Sequence, residues 1–241
     1  MDEICLRCKV ITVIGMIYKS CDYLDFMMRG IQKLDTDYLI VANDPTDAIV
    51  DKLKVDGIKH IVYRDSHPSD YYMNRIYRAW NVGGRVAEGD VLVFINSDMA
   101  FSPEWLTRLI LRLEVDNIPC SRLVESGKLL SGKYAISKDF GRSPKEFNEQ
   151  AFTQFAEKIS VSQVHSGGLF MPYAIFREDF VRSGGYPEGN IYEGGVGAFG
   201  TEFVHSGDEH FFYHNPTMRQ KRHITVFDSV VYHIQEGELD V

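Results

Sequence analysis

Val10 to Met16 (VITVIGM) is an apolar run of strand length, and Leu24, Met27, Met28, Ile31 and Leu34 behind it recur at helical spacing. Tyr38 to Ala42 (YLIVA) is a second strand, closed by Asn43-Asp44-Pro45-Thr46-Asp47. The pattern then predicts a short helix over Thr46 to Lys54 and a third strand over Ile58 to Tyr63. Tyr72, Ile76, Ala79, Trp80, Gly83 and Val86 form the stripe of a longer helix, which Gly89 can terminate. Val91 to Ile95 is wholly apolar and ends abruptly in Asn96-Ser97-Asp98. A short apolar run bounded by turn residues reads as a buried central strand. Ser102-Pro103-Glu104 reads as a helix start, with Ser as N-cap and Pro in the first turn. Trp105, Leu106, Leu109, Ile110 and Leu113 supply its buried stripe, so Trp105, like Trp80, is assigned to the core.

Strands alternating with helices predict a single α/β domain, a mostly parallel central sheet flanked by helices. After about residue 117 the rhythm changes. Residues 120 to 165 read as irregular, with one helix expected over Ser143 to Lys158. Gly and aromatic residues dominate 167 to 200. There Gly184-Gly185, Gly194-Gly195, Gly197 and Gly200 suit either a loop that closes over a ligand or a plain surface connection. Val226 to Tyr232 is the last apolar run, followed by His233.

Composition narrows the partners. The 241 residues are enough for one sizeable core, and 44% hydrophobic with 25% charged residues is an ordinary globular balance. A net charge of -8 argues against nucleic acid as the main partner, while one bound cation could still admit a small anion. Cys5 and Cys8 form a lone C-x-x-C without a second pair. With Cys21 and Cys120 they read as free thiols of a reducing compartment. The opening Met1-Asp2-Glu3-Ile4 has no signal-peptide pattern, and no run is long enough for a transmembrane segment. The expectation is a cytoplasmic protein, which leaves room for the chain to be one module of a longer one.

Four polar clusters are candidates for chemistry. Asn43-Asp44 could bond a base and ribose, or could cap a helix as an Asx turn. Asn96-Ser97-Asp98 lies at a strand's carboxyl end, where a carboxylate can hold a divalent cation. Asp208-Glu209 suits a general base, or ordinary helix capping. His233 after a strand is a ligand or a structural histidine.

The order of these clusters resembles that of the GT-A glycosyltransferases, especially the family-2-like members, over roughly residues 10 to 233. The match runs through Ala79-Trp80-Asn81-Val82-Gly83, Ala87-Glu88-Gly89-Asp90, Asn96-Ser97-Asp98 and Pro103-Glu104-Trp105-Leu106. It continues in Phe176-Arg177-Glu178-Asp179-Phe180, Gly184-Gly185-Tyr186-Pro187-Glu188, Asp208-Glu209 and His233. The resemblance implies transfer of a hexose or deoxyhexose from a nucleotide-sugar, commonly uridine-linked, to a hydroxyl of a glycan, lipid-linked or protein-linked acceptor. It implies that Gly15, Met16, Ile17, Tyr18, Asn43, Asp44, Asn81, Asn96, Ser97 and Asp98 line the donor site. It implies Mn²⁺ or Mg²⁺ on Asp98 and His233, Asp208 or Glu209 as the base, and inversion of configuration. Residues 1–117 would then bind the nucleotide-sugar and 118–241 the acceptor. Arg177, or a basic residue within Arg219 to Arg222, would contact the diphosphate, but for the latter a solvated charge run is the favoured reading.

The chain departs from the family pattern in three places. Asn43 and Asn96 replace Asp, and an Asn oxygen coordinates a cation without adding charge. The acidic pair is Asp-Glu instead of Glu-Asp. Two other function classes stay open: a non-catalytic carbohydrate-binding or scaffolding module of this fold, and a nucleotidyltransferase. The second usually needs a glycine-rich basic loop after the first strand, and Gly15-Met16-Ile17-Tyr18-Lys19 has one Gly and one Lys.

Overall fold

The computed structural model describes residues 9–64, 72–127, 132–168, 171–188, 210–235 and 237–240. The first half alternates as the sequence predicts: β1 (Ile11–Ile17), α1 (Cys21–Ile31), β2 (Asp37–Asn43), α2 (Asp47–Val55), β3 (His60–Tyr63), α3 (Tyr72–Val86) and β4 (Val91–Asn96). Ser20 and Thr46 cap α1 and α2, their hydroxyls accepting from the backbone N–H of Tyr23 and Ile49. After β4 come β5 (Met99–Phe101), α4 (Trp105–Ile110), β6 (Asn117–Glu125), β7 (Ile136–Ser137), α5 (Glu149–Ile159), β8 (Val164–Ser166), β9 (Tyr173–Phe176), α6 (Arg177–Ser183) and β10 (Arg222–His233).

All the described strands join one sheet, in the order β3-β2-β1-β4-β9-β6-β10-β5, with β7 beside β6 and β8 beside β10. β3, β2, β1 and β4 are parallel neighbours. β9 runs against both β4 and β6, so β6 points the same way as β4, and β10 pairs parallel to β6. The carboxyl ends of β1, β2, β4, β6 and β10 therefore share one edge. The chain winds outward from β1 to β3 and then crosses back through α3 to place β4 on the other side of β1. That reversal leaves a crevice between the carboxyl ends of β1 and β4, the place where open α/β sheets bind ligands.

Three expectations change. Residues 120 to 165 are not irregular: β6 is buried at eight of its nine positions and continues the sheet. Its polar residues hid it. Ser121 shares a 2.7 Å hydrogen bond with buried Ser229 of β10, and the Cys120 thiol lies 3.5 Å from the Thr225 hydroxyl. The helix expected from Ser143 begins at Glu149, where the Asn148 side chain accepts from Ala151 N–H. Ser102 does not cap α4. Its N–H bonds the Val230 carbonyl, so it ends an edge strand, and the helix starts only after Glu104, whose φ is 59°. Trp80 and Trp105 are buried, as expected.

β10 changes partners along its length. Ile224 to Val226 pair with β8, and Val231 to His233 pair with β5. Between them the register against β6 jumps: Val226 faces Ser121, but Val230 faces Arg122. Residues 227–229 form the bulge that lets the strand change partners.

The start of β4 is pinned to β1 by the Ala87-Glu88-Gly89-Asp90 turn. Gly89 N–H donates to Thr12 Oγ1, and the Asp90 carboxylate accepts from Val10 N–H at 3.0 Å. A side chain on Gly89 would meet Thr12 backbone nitrogen at 2.7 Å and the Val10 carbonyl at 3.0 Å. Backbone cannot step aside as a flexible side chain can. Gly89→Ala is therefore expected to lose about 1–3 kcal/mol, the usual cost of overpacking, read as a lower denaturant midpoint with an unchanged slope.

Candidate functional site

At the carboxyl edge, β4 delivers Asn96, and the chain turns through Ser97 and Asp98 into β5. β10 lies between β5 and β6, and its register sets His233 opposite Met99 on one side and Glu125 on the other. His233 is thereby held between two carboxylates. Its Nδ1 lies 2.8 Å from Glu125 Oε1, and its Nε2 lies 3.5 Å from Asp98 Oδ2. Ile234 N–H donates to the Asp98 carbonyl, which fixes this turn to the end of β10.

Glu125 is 0% exposed, so its charge must be met inside the protein. Burial alone would lower the imidazole pKa. Asp98 and then Glu125 overcome that effect and push His233 up to about 10. The two carboxylates thus favour the protonated imidazole.

Three buried side-chain oxygens at this edge have no hydrogen-bond partner: Asn43 Oδ1, Asn96 Oδ1 and Asp98 Oδ1. An unmet buried acceptor costs about 1–3 kcal/mol. The unpaired Asp98 oxygen, next to His233, suits a hard cation, and the two Asn oxygens suit a cation or a donor-bearing ligand. Among the described residues no three His, Cys, Asp or Glu side chains stand close enough to hold a metal by themselves. Asp98 and His233 could supply two donor atoms, with Asn96 as a neutral third.

The β1–α1 turn faces the same crevice with backbone donors. The N–H groups of Tyr18, Lys19 and Ser20 point to one carboxylate, that of Glu238, at 3.0, 3.1 and 2.8 Å. Ser97 Oγ donates to the same group at 2.9 Å. Burial raises the pKa of Glu238 despite these donors.

The other expected site residues divide. Asn43 is 6% exposed at the end of β2, and Asp44 follows with φ 46°, its N–H bonded to the Tyr63 carbonyl. Tyr18 is exposed at the crevice, whereas Ile17 is fully buried and Gly15 packs beneath Met27 of α1. Gly15 and Ile17 thus serve the core, and Met16 is half-buried. Asn81 is turned inward and 0% exposed. Its amide donates to the Tyr186 carbonyl and to Glu188, and its oxygen accepts from Tyr186 N–H. It clamps the 185–188 turn to α3 and has no polar atom left for a ligand.

Arg177 and the Arg219 to Arg222 run lie at the opposite edge. Phe176 pairs with Val91 at the start of β4, and Arg177 Nε caps the end of α3 through the Ala87 carbonyl. Lys221 bonds buried Asp179, and Arg222 reaches Asp116. Arg177 is kept from a diphosphate in the crevice because β9 is antiparallel to β4, whereas Arg219, Gln220 and Arg222 are exposed at the amino edge, as a solvated charge run requires. Asp208 and Glu209, with Gly194 to Gly200, lie outside the described residues, as do Cys5 and Cys8.

Glu125 and Glu238 escaped the sequence reading. Glu125 had a faint signal, a carboxylate ending a run of strand length. Its pairing with His233 depends on the β10 bulge, which no local pattern announces.

No helix among the described residues is long and apolar enough to cross a membrane. Direct comparison with curated protein sequences gives no match. Solved structures are similar in fold. TarS of S. aureus aligns with a TM-score of 0.57 at 14% identity, over 94% of this chain and 61% of that one. The mannosyltransferase PcManGT of Pyrobaculum calidifontis, in complex with GDP-Man and Mn²⁺, aligns at 0.55 and 15% identity, over 94% and 57%. GalNAc-T7 with UDP, GalNAc and Mn²⁺ aligns at 0.51 and 13% identity, over 93% and 44%. The chain thus spans less than two thirds of the length of each. The family model for glycosyl transferase family 2 matches residues 13–180. With its α/β sheet of the GT-A type, the chain belongs to glycosyl transferase family 2.

Proposed function

We propose that the chain transfers a sugar from a nucleotide-sugar, UDP-linked in the first instance, to an acceptor hydroxyl. The observation that carries this reading is the Asp98–His233 pair with the unpartnered Asp98 Oδ1, at the crevice between β1 and β4. TarS has been solved with UDP, and PcManGT with GDP-Man and Mn²⁺, which supports a nucleoside diphosphate in this crevice.

Asp98 and His233 would hold Mn²⁺ or Mg²⁺, which when bound offsets the charge that grows on the diphosphate leaving group. With the hydrogen of its Nδ1 bonded to the Glu125 carboxylate, His233 would present Nε2 to the crevice. Asn43 and Asp44, at the end of β2, would meet the base and ribose, with Tyr18 beside them. Asp208 or Glu209 would take the proton of the acceptor hydroxyl. A single displacement assisted by that base inverts configuration. Residues 1–117 would bind the donor and 118–241 the acceptor, a glycan or a lipid- or protein-linked hydroxyl.

A panel of nucleotide-sugars with and without Mn²⁺ tests the donor site by thermal shift. A ligand at 100 times its Kd should stabilise by about 2.7 kcal/mol. The Mn²⁺-dependent part of that gain is expected to vanish in Asp98→Ala. Binding without any hydrolysis or transfer of the sugar would instead favour a non-catalytic module, and no shift with any nucleotide would end the donor reading.

The raised pKa of His233 gives a second test. Its proton stabilises the metal-free fold fully below pH 6.5, and that contribution fades as pH rises through about 10. A cation on Nε2 must displace the proton. Mn²⁺ binding near neutral pH is expected to release about one proton, and its affinity to rise about tenfold per pH unit below pH 10. Calorimetry in two buffers of different ionisation enthalpy measures the release, and His233→Asn should abolish it. Glu125→Gln is expected to weaken Mn²⁺ binding about 10–100-fold while the chain stays folded.

A further inference from the structure

Glu238 is an odd occupant for this crevice. It follows β10 in a short 3-10 turn, Gly237–Asp240, and its carboxylate fills the gap between the carboxyl ends of β1 and β4. Its oxygens accept from three successive backbone N–H groups of the β1–α1 turn and from Ser97. Gly237 lies flat on Asp98: a side chain there would stand 2.6 Å from Asp98 Cβ and 2.8 Å from Asp98 Oδ2. Only a glycine lets the segment come so close.

The turn answers one half of the crevice's hydrogen-bonding groups and ignores the other. All four of these donors are satisfied by Glu238. The acceptors Asn43 Oδ1, Asn96 Oδ1 and Asp98 Oδ1 remain unpartnered. A carboxylate can do no more, since it only accepts. A nucleoside diphosphate with its cation brings both kinds of group and carries the same sign of charge as Glu238.

We propose that residues 237–240 are a self-occluding strap, and that the Glu238 carboxylate competes with the nucleoside diphosphate of the donor for the β1–β4 crevice. The inference rests on the donor reading above and adds a regulation to it. Donor binding must lift Glu238 off Tyr18, Lys19, Ser20 and Ser97 and slide Gly237 away from Asp98. The His233 end of β10 stays in place, held by its pairing with β5 and β6. The affinity seen in solution is then the affinity of the open crevice reduced by the fraction of chains that are open.

The test is UDP binding with Mn²⁺ to the full chain, to Glu238→Ala and to Gly237→Ala, alongside hydrogen exchange. Glu238→Ala removes the competing charge, and Gly237→Ala keeps that charge but forces the strap off Asp98. Both variants are expected to bind UDP more tightly, by about tenfold if nine chains in ten are closed. Without ligand, the amides of residues 18–20 should exchange faster in Glu238→Ala than in the unsubstituted chain. Adding UDP to the unsubstituted chain should speed exchange at 237–240 while keeping 18–20 protected. Equal UDP affinity in all three chains, or 237–240 still protected with UDP bound, overturns the strap and leaves the donor reading standing. Weaker binding in Glu238→Ala also overturns it, since Glu238 would then help to hold the donor. No nucleotide bound by any of the three chains overturns both.

Discussion

The imidazole of His233 lies between two carboxylates that come from distant parts of the chain, and the site depends on that arrangement. Glu125 ends one strand, and Asp98 sits in the turn before another. They meet because β10 passes between β6, which runs its way, and β5, which runs against it. The sheet must therefore include antiparallel strands. A purely parallel sheet would leave no strand beside β10 that starts at the carboxyl edge. The mixed sheet is what turns three isolated side chains into one charged cluster.

Burial then sets the strength of the cluster. Glu125 is fully buried, and the His233 imidazole at 2.8 Å and the Gln235 amide at 3.4 Å both meet its Oε1. Asp98 keeps one buried oxygen unpaired while its other faces the imidazole. In metal-binding histidines generally, a buried carboxylate on the far nitrogen fixes the tautomer and raises the basicity of the ring.

Legibility in the sequence followed the range of the interactions. β1 to β4 and their helices could be read because each is a local run with its own period, closed by Ser20, Thr46 or a turn. Asn43, Asp98 and His233 could be placed at strand ends for the same reason. β6 was illegible because Asn117, Ser121 and Glu125 look like loop residues until β10 lies beside them. Arg177 was misplaced because nothing local tells that β9 runs against β4, and that one reversal carries it to the far edge. Asn81 resembled a ligand contact, but its three hydrogen bonds to Tyr186 and Glu188 make it a clamp.

The bulge at residues 227–229 acts on more than local geometry. Upstream of it β10 is tied to β8, and downstream to β5. Side chains alternate along a strand, so the number of residues spent in the bulge decides which face of the sheet receives His233. A loss or gain of one residue there would turn the histidine away from both carboxylates, and would swing the buried Tyr232 ring out of its cluster with Phe140, Phe147 and Phe152. The bulge is thus a counting device: a length, with no chemistry of its own, on which the identity of the site depends. The spacing between Val226 and Val230 cannot drift without dismantling the charged cluster.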